Sequence, residues 1–208
     1  MLNGDSYGSA FYELCLGTPS MTAILIGGSP GTGKSEVAEV LGIRLKAEVI
    51  SMSDLARRNG CISARDDARD TDIIDEDCLV GAIMDEVETK RHRIIVEGHY
   101  IDLVPYSSME HAFILRTHPD TLRERLLARG YSKEKILENV EAEVIGVCQM
   151  DAIEAFGEDK VFEIDTTDLN PLQVADVIVE FLKSPAHSPR YDWMELLENE
   201  GRLDEFLS

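Results

Sequence analysis

Basic residues are scarce in this 208-residue chain, because 20 Lys and Arg stand against 40 Asp and Glu and leave a formal net charge of −20. Affinity for a nucleic-acid backbone comes mainly from Lys and Arg that displace counterions. This composition therefore argues against direct binding to nucleic acid. Two interpretations of the acidity stay open: a surface kept acidic for solubility, or a binding surface for a basic protein partner.

Cysteines are also few, and their spacing is uninformative. Cys15, Cys61, Cys78 and Cys148 form no C-x-x-C pair, which argues against a zinc site and against a disulfide frame. We expect reduced thiols in a cytoplasmic protein.

Long apolar runs are missing as well. No stretch reaches the length of a bilayer-spanning helix, and residues 1–20 contain neither a basic leader nor a long apolar segment. We expect a protein that is neither secreted nor anchored to a membrane. Residues 1–20 also lack a clear period, so we interpret them as an N-terminal extension and Met21 as an alternative start.

The chain does contain short apolar strands that alternate with helices. Strands are predicted at 22–27, 47–52, 93–97, 111–116 and 160–165, and helices at 33–45, 78–90, 119–129, 133–155 and 171–183. This pattern predicts an α/β fold with a five-stranded parallel sheet and helices on both faces. Ligands bind such sheets at the carboxyl ends of the strands.

Residues 184–208 follow the last predicted helix. The prolines and small residues of 184–189 predict a linker, and 191–208 form an acidic amphipathic tail. Its apolar stripe either folds back on its own domain or binds a partner.

The strongest motif is the segment 28–35, Gly-Ser-Pro-Gly-Thr-Gly-Lys-Ser, which lies between a predicted strand and a predicted helix. It matches the phosphate-binding pattern G-x-x-x-x-G-K-[ST]. Glycines let backbone N–H groups turn toward phosphates, and the helix start adds its free amides and positive dipole end. Lys34 adds a cation and Ser35 a hydroxyl for Mg²⁺. A turn that binds nothing would have to match every fixed position by chance, so we predict binding of a nucleoside triphosphate.

The choice of reaction depends on polar residues near other strand ends. The Asn-Lys-x-Asp segment of GTPase switches does not occur in the chain. Ser53, Asp54 and Arg57 instead follow the second predicted strand and suit a second phosphorylated substrate, with Arg57 as the clamp for its phosphate. The alternative is that Arg57 and Arg58 form a solvated helix end.

A cationic lid is the third predicted element. Arg125 and Arg129 are four residues apart, hence on one helical face, and Gly130 follows. This arrangement predicts a lid that closes over the triphosphate, with Arg129 as its main cation. The alternative is that these arginines pair with nearby glutamates at the surface.

Together these motifs resemble the atypical adenylate kinases of the isoenzyme-six type, also called coilin-interacting nuclear ATPases, which have ribosome-maturation relatives in archaea. The resemblance extends from about residue 23 to 182. Its further carriers are Ser-Asp-Leu-Ala-Arg at 53–57, Ile-Asp-Glu-Asp at 74–77, Ile-Ile-Val-Glu-Gly-His at 94–99, Leu-Arg-Thr at 115–117 and Glu-Arg-Leu-Leu-Ala-Arg-Gly-Tyr at 124–131.

The resemblance implies a P-loop NTPase fold of the nucleoside-monophosphate-kinase type over 21–183, with residues 51–74 for the monophosphate and 128–138 as lid. It implies Mg²⁺-dependent phosphoryl transfer from ATP to AMP, and ATP hydrolysis when AMP is absent. By the same resemblance, small-subunit ribosome maturation with the ribosomal protein S11 as partner is a second role. The ATP contacts it implies are Gly31, Thr32, Gly33, Lys34, Ser35, Glu36 and Arg129.

The other implied site residues include one departure from the family. Lys34, Arg129 and His99 would be catalytic, and Ser53, Asp54 and Arg57 would hold AMP. The family commonly has Asp-Tyr-His-Gly where this chain has Glu-Gly-His-Tyr at 97–100. We expect Glu97 to hold a Mg²⁺-bound water beside Ser35. His99 either orients a reactant or is a satisfied core group, and Asp75 and Asp77 either approach Mg²⁺ or cap a helix.

Overall fold

A computed structural model describes residues 23–66, 71–90, 92–185 and 189–207, so the predicted extension lies outside the described residues. The strands are β1 Ala23–Gly27, β2 Glu48–Ser51, β3 Ile62–Asp66, β4 Thr71–Ile74, β5 Ile94–Glu97, β6 Met109–Arg116 and β7 Val161–Asp165. The helices are α1 Lys34–Leu45, α2 Met52–Asn59, α3 Glu76–Thr89, α4 Pro119–Ala128, α5 Lys133–Ile145, α6 Val147–Phe156, α7 Pro171–Lys183 and α8 Trp193–Asn199. Short 3-10 turns occur at Ile101–Leu103, Tyr106–Ser108, Glu158–Lys160 and Leu203–Glu205.

The main sheet is five-stranded and parallel, in the order β2-β5-β1-β6-β7. The predicted α/β fold with helices on both faces is confirmed. β1 lies at the centre, where Leu25 pairs with Val96 of β5 and with Ala112 of β6. The carboxyl ends of these three strands therefore meet at one edge, directly below the phosphate-binding segment.

Strand β1 is apolar throughout because both faces of the sheet are covered. Leu25 packs into a core with α2, α3 and α6, whereas Ile24 and Ile26 face α1 and α7 on the other side. All three side chains are fully buried. This two-sided burial explains why the strands are continuous apolar runs instead of alternating patterns.

Two predicted elements differ from the structure. The single helix predicted at 133–155 is two helices, because Gly146 has a left-handed backbone (φ 80°) that ends α5 and begins α6. The polar stretch after the second strand contains α2 and the antiparallel β3–β4 hairpin, which the sequence analysis did not predict. Short polar strands carry little hydrophobic pattern to detect.

The expectation of four reduced thiols is wrong, since Cys61 and Cys78 form a disulfide with a Cα–Cα distance of 5.3 Å. The β3–β4 hairpin turns the chain back on itself, and the Asp75 amide donates to the Cys61 carbonyl at 2.9 Å. This return brings together two cysteines that are 17 residues apart. The spacing of the cysteines in the sequence did not indicate that Cys61 and Cys78 are close together. Cys148 is a free thiol, as expected, and is buried.

Residues 189–207, here called the C-terminal segment, pack on the domain. Leu197 and Phe206 share a hydrophobic cluster with side chains of α4 and α5. Within the described part of the chain, no helix combines the length and the apolar character that crossing a membrane requires.

The disulfide leads to a prediction about stability. Replacing Cys61 and Cys78 together by Ser should lower the free energy of unfolding by about 2–4 kcal/mol, because the cross-link restricts the unfolded chain. Urea unfolding without reductant measures this loss, and reduced parental protein should show a similar one. Alkylation of the denatured parental protein should detect two more thiols after reduction than before. An unchanged thiol count would contradict the disulfide.

Candidate active site

The phosphate-binding segment connects β1 to α1, and its backbone requires glycine. Gly28 has φ 135°, and a Cβ there would lie 2.4 Å from the Leu115 carbonyl oxygen. Gly33 caps α1 in a left-handed conformation (φ 96°) and offers no side chain to the helix amides. The first N–H groups of α1 therefore keep the hydrogen-bonding capacity that an anion uses.

Lys34 is the first residue of α1 and reaches back over the loop. Its Nζ donates to the Ser29 carbonyl at 3.0 Å. Partial removal from water lowers the pKa of Lys34, and the nearby Cys148, Glu97 and Glu143 oppose that shift. A cation held this way can exchange its carbonyl partner for an anionic one such as a phosphate oxygen.

Ser35 and Glu97 bring two oxygen ligands together. The Ser35 hydroxyl donates to Glu97 Oε2 at 3.2 Å, and Glu97 is buried at the end of β5. Mg²⁺ prefers oxygen ligands and keeps several waters. This donor set therefore suits a Mg²⁺ ion held by the hydroxyl, with the carboxylate reaching its water shell.

A cavity of about 430 Å³, here called the phosphate cavity, brings most predicted site residues together. The predicted residues that line it are Gly31, Gly33, Lys34, Ser35, Glu36, Ser53, Asp54, Arg57, Glu97, His99 and Arg129. Thr32 differs, because its side chain is buried and its Oγ1 donates to the Ser29 carbonyl at 2.9 Å. The Thr32 side chain thus supports the loop from inside.

Two further cavities share walls with the phosphate cavity. The first, about 270 Å³ and called the Thr166 cavity, shares Gly31, Gly33, Glu36 and Arg129 with it. The second, about 390 Å³ and called the Tyr100 cavity, shares Ser53 and Arg57. Each neighbouring cavity therefore meets the phosphate cavity at a different arginine.

The arginines near the phosphate-binding loop differ in their partners. Arg129 is exposed and lies 3.5 Å from Glu36, and Arg57 pairs with Asp54 at 3.2 Å. Arg58 instead pairs with Glu86 on α3. Arg125 differs from the sequence expectation, because it donates to the Thr166 carbonyl at 2.7 Å. It joins α4 to the loop after β7, one helical turn before Arg129.

His99 lines the phosphate cavity but has partners within the fold. Its Nδ1 lies 3.3 Å from Cys148 Sγ. Burial raises the pKa of Cys148 to about 11, so the thiol stays protonated near neutral pH and can donate to the ring. Burial and the Lys34 charge lower the pKa of His99, and a hydrogen bond to the Gly28 backbone opposes this shift. A neutral imidazole with hydrogen bonds to both Cys148 and the Gly28 backbone can hold the phosphate-binding loop in place. It can also orient a reactant in the cavity.

Asp75 and Asp77 lie at the start of α3. Asp75 is the N-cap of α3 and accepts from the Cys78 amide at 3.0 Å, which confirms the capping interpretation for this residue. Asp77 lies in the first turn of the same helix.

The residues that hold the loop from below are not among those predicted from the sequence. Glu143 of α5 accepts from the Ser29 hydroxyl at 2.6 Å and from Arg116 Nε at 2.9 Å. Thr166 donates to the Thr32 carbonyl at 3.2 Å. A glutamate in a glutamate-rich helix carries no signal of burial. Only the apolar residues at helical spacing around it could have indicated that Glu143 is buried.

A family model described as "AAA domain" matches residues 24–146. Proteins named "Putative adenylate kinase" are similar over most of their length. The protein of Methanocaldococcus jannaschii is 34% identical over 83% of this chain and 93% of its own, and that of Methanothermobacter thermautotrophicus 39% over 80% and 92%. The protein of Archaeoglobus fulgidus is 37% identical over 88% and 97%.

This chain belongs to that P-loop kinase family. Two solved structures share the fold. Shikimate kinase from Acinetobacter baumannii superposes with a TM-score of 0.56 at 13% identity, covering 79% of this chain and 94% of its own. The tunicamycin resistance protein of Deinococcus radiodurans gives 0.54 at 18%, covering 82% and 99%. At these identities the two structures show only that this P-loop kinase has the same fold.

Proposed function

We propose that this P-loop kinase transfers the γ-phosphoryl group of ATP to AMP, forms two ADP, and hydrolyses ATP when AMP is absent. The observation that carries the proposal is the phosphate cavity with its two neighbours, each of which shares an arginine with it among the common wall residues. Transfer between two nucleotides needs a shared phosphate site with a nucleoside site for each partner. The names of the archaeal relatives support the same reaction.

The Thr166 cavity is the proposed site for the adenosine of ATP. Its wall combines the apolar side chains of Leu169 and Val174 with Pro171 and the Arg125 guanidinium. A guanidinium plane stacks on aromatic rings, and apolar side chains cover the other ring surface. ATP placed here directs its triphosphate toward Gly31 and Gly33, which both cavities share.

The Tyr100 cavity is the proposed site for AMP. Arg57 belongs to its wall and to that of the phosphate cavity, so one guanidinium can bind the AMP phosphate between them. Arg57 is 60% exposed and its partner Asp54 is 74% exposed. An ion pair this exposed contributes little to stability, so an incoming phosphate can replace it at small cost.

The chemistry follows from placement and charge. As the bond from phosphorus to the β–γ bridging oxygen breaks, a bond to an AMP phosphate oxygen forms. Lys34, Arg129 and the N-terminal amides of α1 stabilise the negative charge of the transferring group. Bound Mg²⁺ would neutralise phosphate charge, held by the Ser35 hydroxyl and through water by Glu97. Without AMP, water takes the acceptor position and ATP is hydrolysed.

Three variants test this assignment when ATP, Mg²⁺ and each nucleoside monophosphate are supplied and ADP and free phosphate are quantified separately. Lys34→Ala should lower both transfer and hydrolysis by a factor on the order of 10² or more, because both reactions use this cation. Arg57→Ala should lower kcat/KM for AMP by about 10- to 100-fold and leave hydrolysis close to parental.

The matched control is Arg58→Ala, which removes the neighbouring cation that pairs with Glu86 outside the three cavities. It should retain parental rates. Equal losses of ATP and AMP use in Arg57→Ala would place the acceptor elsewhere, and a parental protein that releases phosphate but makes no additional ADP with any monophosphate would overturn the kinase assignment.

A second proposed role is small-subunit ribosome maturation, with the basic ribosomal protein S11 as partner. The resemblance to the isoenzyme-six family and the net charge of −20 support this role. We expect binding to purified S11 that differs between the ATP-bound and nucleotide-free states. Equilibrium binding at 0.15 M salt measures it, and no binding in either state would remove the proposal.

A further inference from the structure

A buried group of charged side chains lies beneath the phosphate-binding loop. Arg116 ends β6, Glu143 lies on α5 and Glu163 lies on β7, and each is at most 2% exposed. Arg116 donates to Glu143 Oε1 at 2.9 Å and to Glu163 Oε2 at 3.0 Å. These three side chains are here called the buried triad. The described reaction uses none of them directly.

Glu143 connects the buried triad to the loop. Its Oε2 accepts from the Ser29 hydroxyl at 2.6 Å, and its Oε1 accepts from the Thr117 amide at 3.0 Å. The carbonyl of Ser29 in turn accepts from Lys34 Nζ at 3.0 Å and from Thr32 Oγ1 at 2.9 Å. A displacement of Glu143 therefore moves the peptide on which the catalytic lysine rests.

The C-terminal segment completes the buried triad. Trp193 Nε1 donates to Glu143 Oε1 at 3.2 Å, and the Tyr191 amide donates to Glu163 Oε2 at 3.1 Å. The Tyr191 carbonyl accepts from Arg116 Nη1 at 3.1 Å. Trp193 is itself buried and stacks on Tyr191. The segment thus contributes both donors and an acceptor to groups that lie inside the domain.

The C-terminal segment also balances the charge of the buried triad. The buried triad holds two carboxylates and one guanidinium, so alone it carries a net negative charge away from water. Arg190 of the C-terminal segment donates to Glu163 Oε1 at 3.1 Å and supplies the second cation. Buried charges are tolerated when they are paired and fully hydrogen-bonded, and removing a partner is costly.

We propose that the C-terminal segment is a working part of the nucleotide site, in which Trp193 holds Glu143 and Glu143 positions the phosphate-binding loop through Ser29. Glu143 and Trp193 are positioning residues, because they act on the loop and not on the nucleotide. The proposal rests on the proposed function only in taking ATP as the ligand of this loop.

A double-mutant cycle tests the coupling. Trp193→Phe keeps an aromatic ring and removes the N–H donor, and Ser29→Ala removes the hydroxyl that Glu143 accepts. At a temperature where all variants are folded, each should lower kcat/KM for ATP by about tenfold, and the double variant should lose no more than about the larger single loss. Affinity for a non-hydrolysable ATP analogue, measured without AMP, should show the same non-additivity.

The matched control is Leu203→Ala, which weakens the packing of the same segment on the α4 and α5 cluster and leaves every hydrogen-bond partner of the Glu143 carboxylate in place. It should lower Tm while leaving kcat/KM for ATP within about twofold and adding independently to Ser29→Ala. Should Trp193→Phe not fold, Glu143→Gln takes its place in the cycle, since Gln keeps the shape and loses the charge.

Losses that simply add, or a Leu203→Ala variant that loses as much ATP use as Trp193→Phe, would overturn the proposal and reduce the segment to a stabilising cover. Because analogue binding requires no acceptor, this outcome is independent of whether AMP is the substrate. Failure of AMP to accept phosphate would contradict the proposed function and leave the coupling intact.

Discussion

The Glu143 carboxylate is almost completely removed from water, and such a charge is tolerated only when every oxygen has hydrogen-bond partners. Those partners come from Ser29 in the phosphate-binding loop, Arg116 and Thr117 at the end of β6, and Trp193 in the C-terminal segment. One side chain therefore fixes the relative positions of three parts of the chain. Removing a partner of such a charge typically costs about 3–5 kcal/mol, so the arrangement has few alternatives.

The strand order of the sheet determines which side chains flank the phosphate-binding loop. Because β1 lies between β5 and β6, the loop after β1 has Glu97 on one side and Arg116 on the other. Glu97 accepts from Ser35 at the start of α1, the proposed position of Mg²⁺, while Arg116 faces inward to Glu143. The end of β5 thus contributes a side chain to the proposed reaction site, and the end of β6 contributes one to its support.

The features that the sequence predicts well are those in which a local pattern has a direct physical cause. Apolar runs such as that of β1 predicted buried strands, and the glycines, Lys34 and Ser35 of 28–35 predicted the phosphate-binding loop because its geometry depends on adjacent residues. The break at Gly146 was missed because apolar residues continue at helical spacing on both sides of it. One glycine is compatible with a continuous helix on pattern alone.

The remaining features depend on distant contacts that no local pattern encodes. Cys61 meets Cys78 only because the β3–β4 hairpin returns the chain, and Ser29 meets Glu143 across 114 positions. Arg125 and Arg129 share the spacing that predicted a lid, yet Arg125 is held by the Thr166 carbonyl, whereas Arg129 lines the phosphate cavity. Roles like these follow from tertiary placement, so the sequence predicted the fold and the phosphate-binding loop better than the side chains that support the loop.

The central claim is that one phosphate site serves two nucleotides, and a single bisubstrate ligand tests it most directly. Two adenosines joined by five phosphates reproduce ATP and AMP bound at once, so titration calorimetry should give one molecule per chain and an affinity well above that of ATP or AMP alone. Excess ATP and excess AMP should each compete with it. If excess ATP weakens the binding of this ligand but excess AMP leaves it unchanged, the site holds a single nucleotide, which would contradict the account.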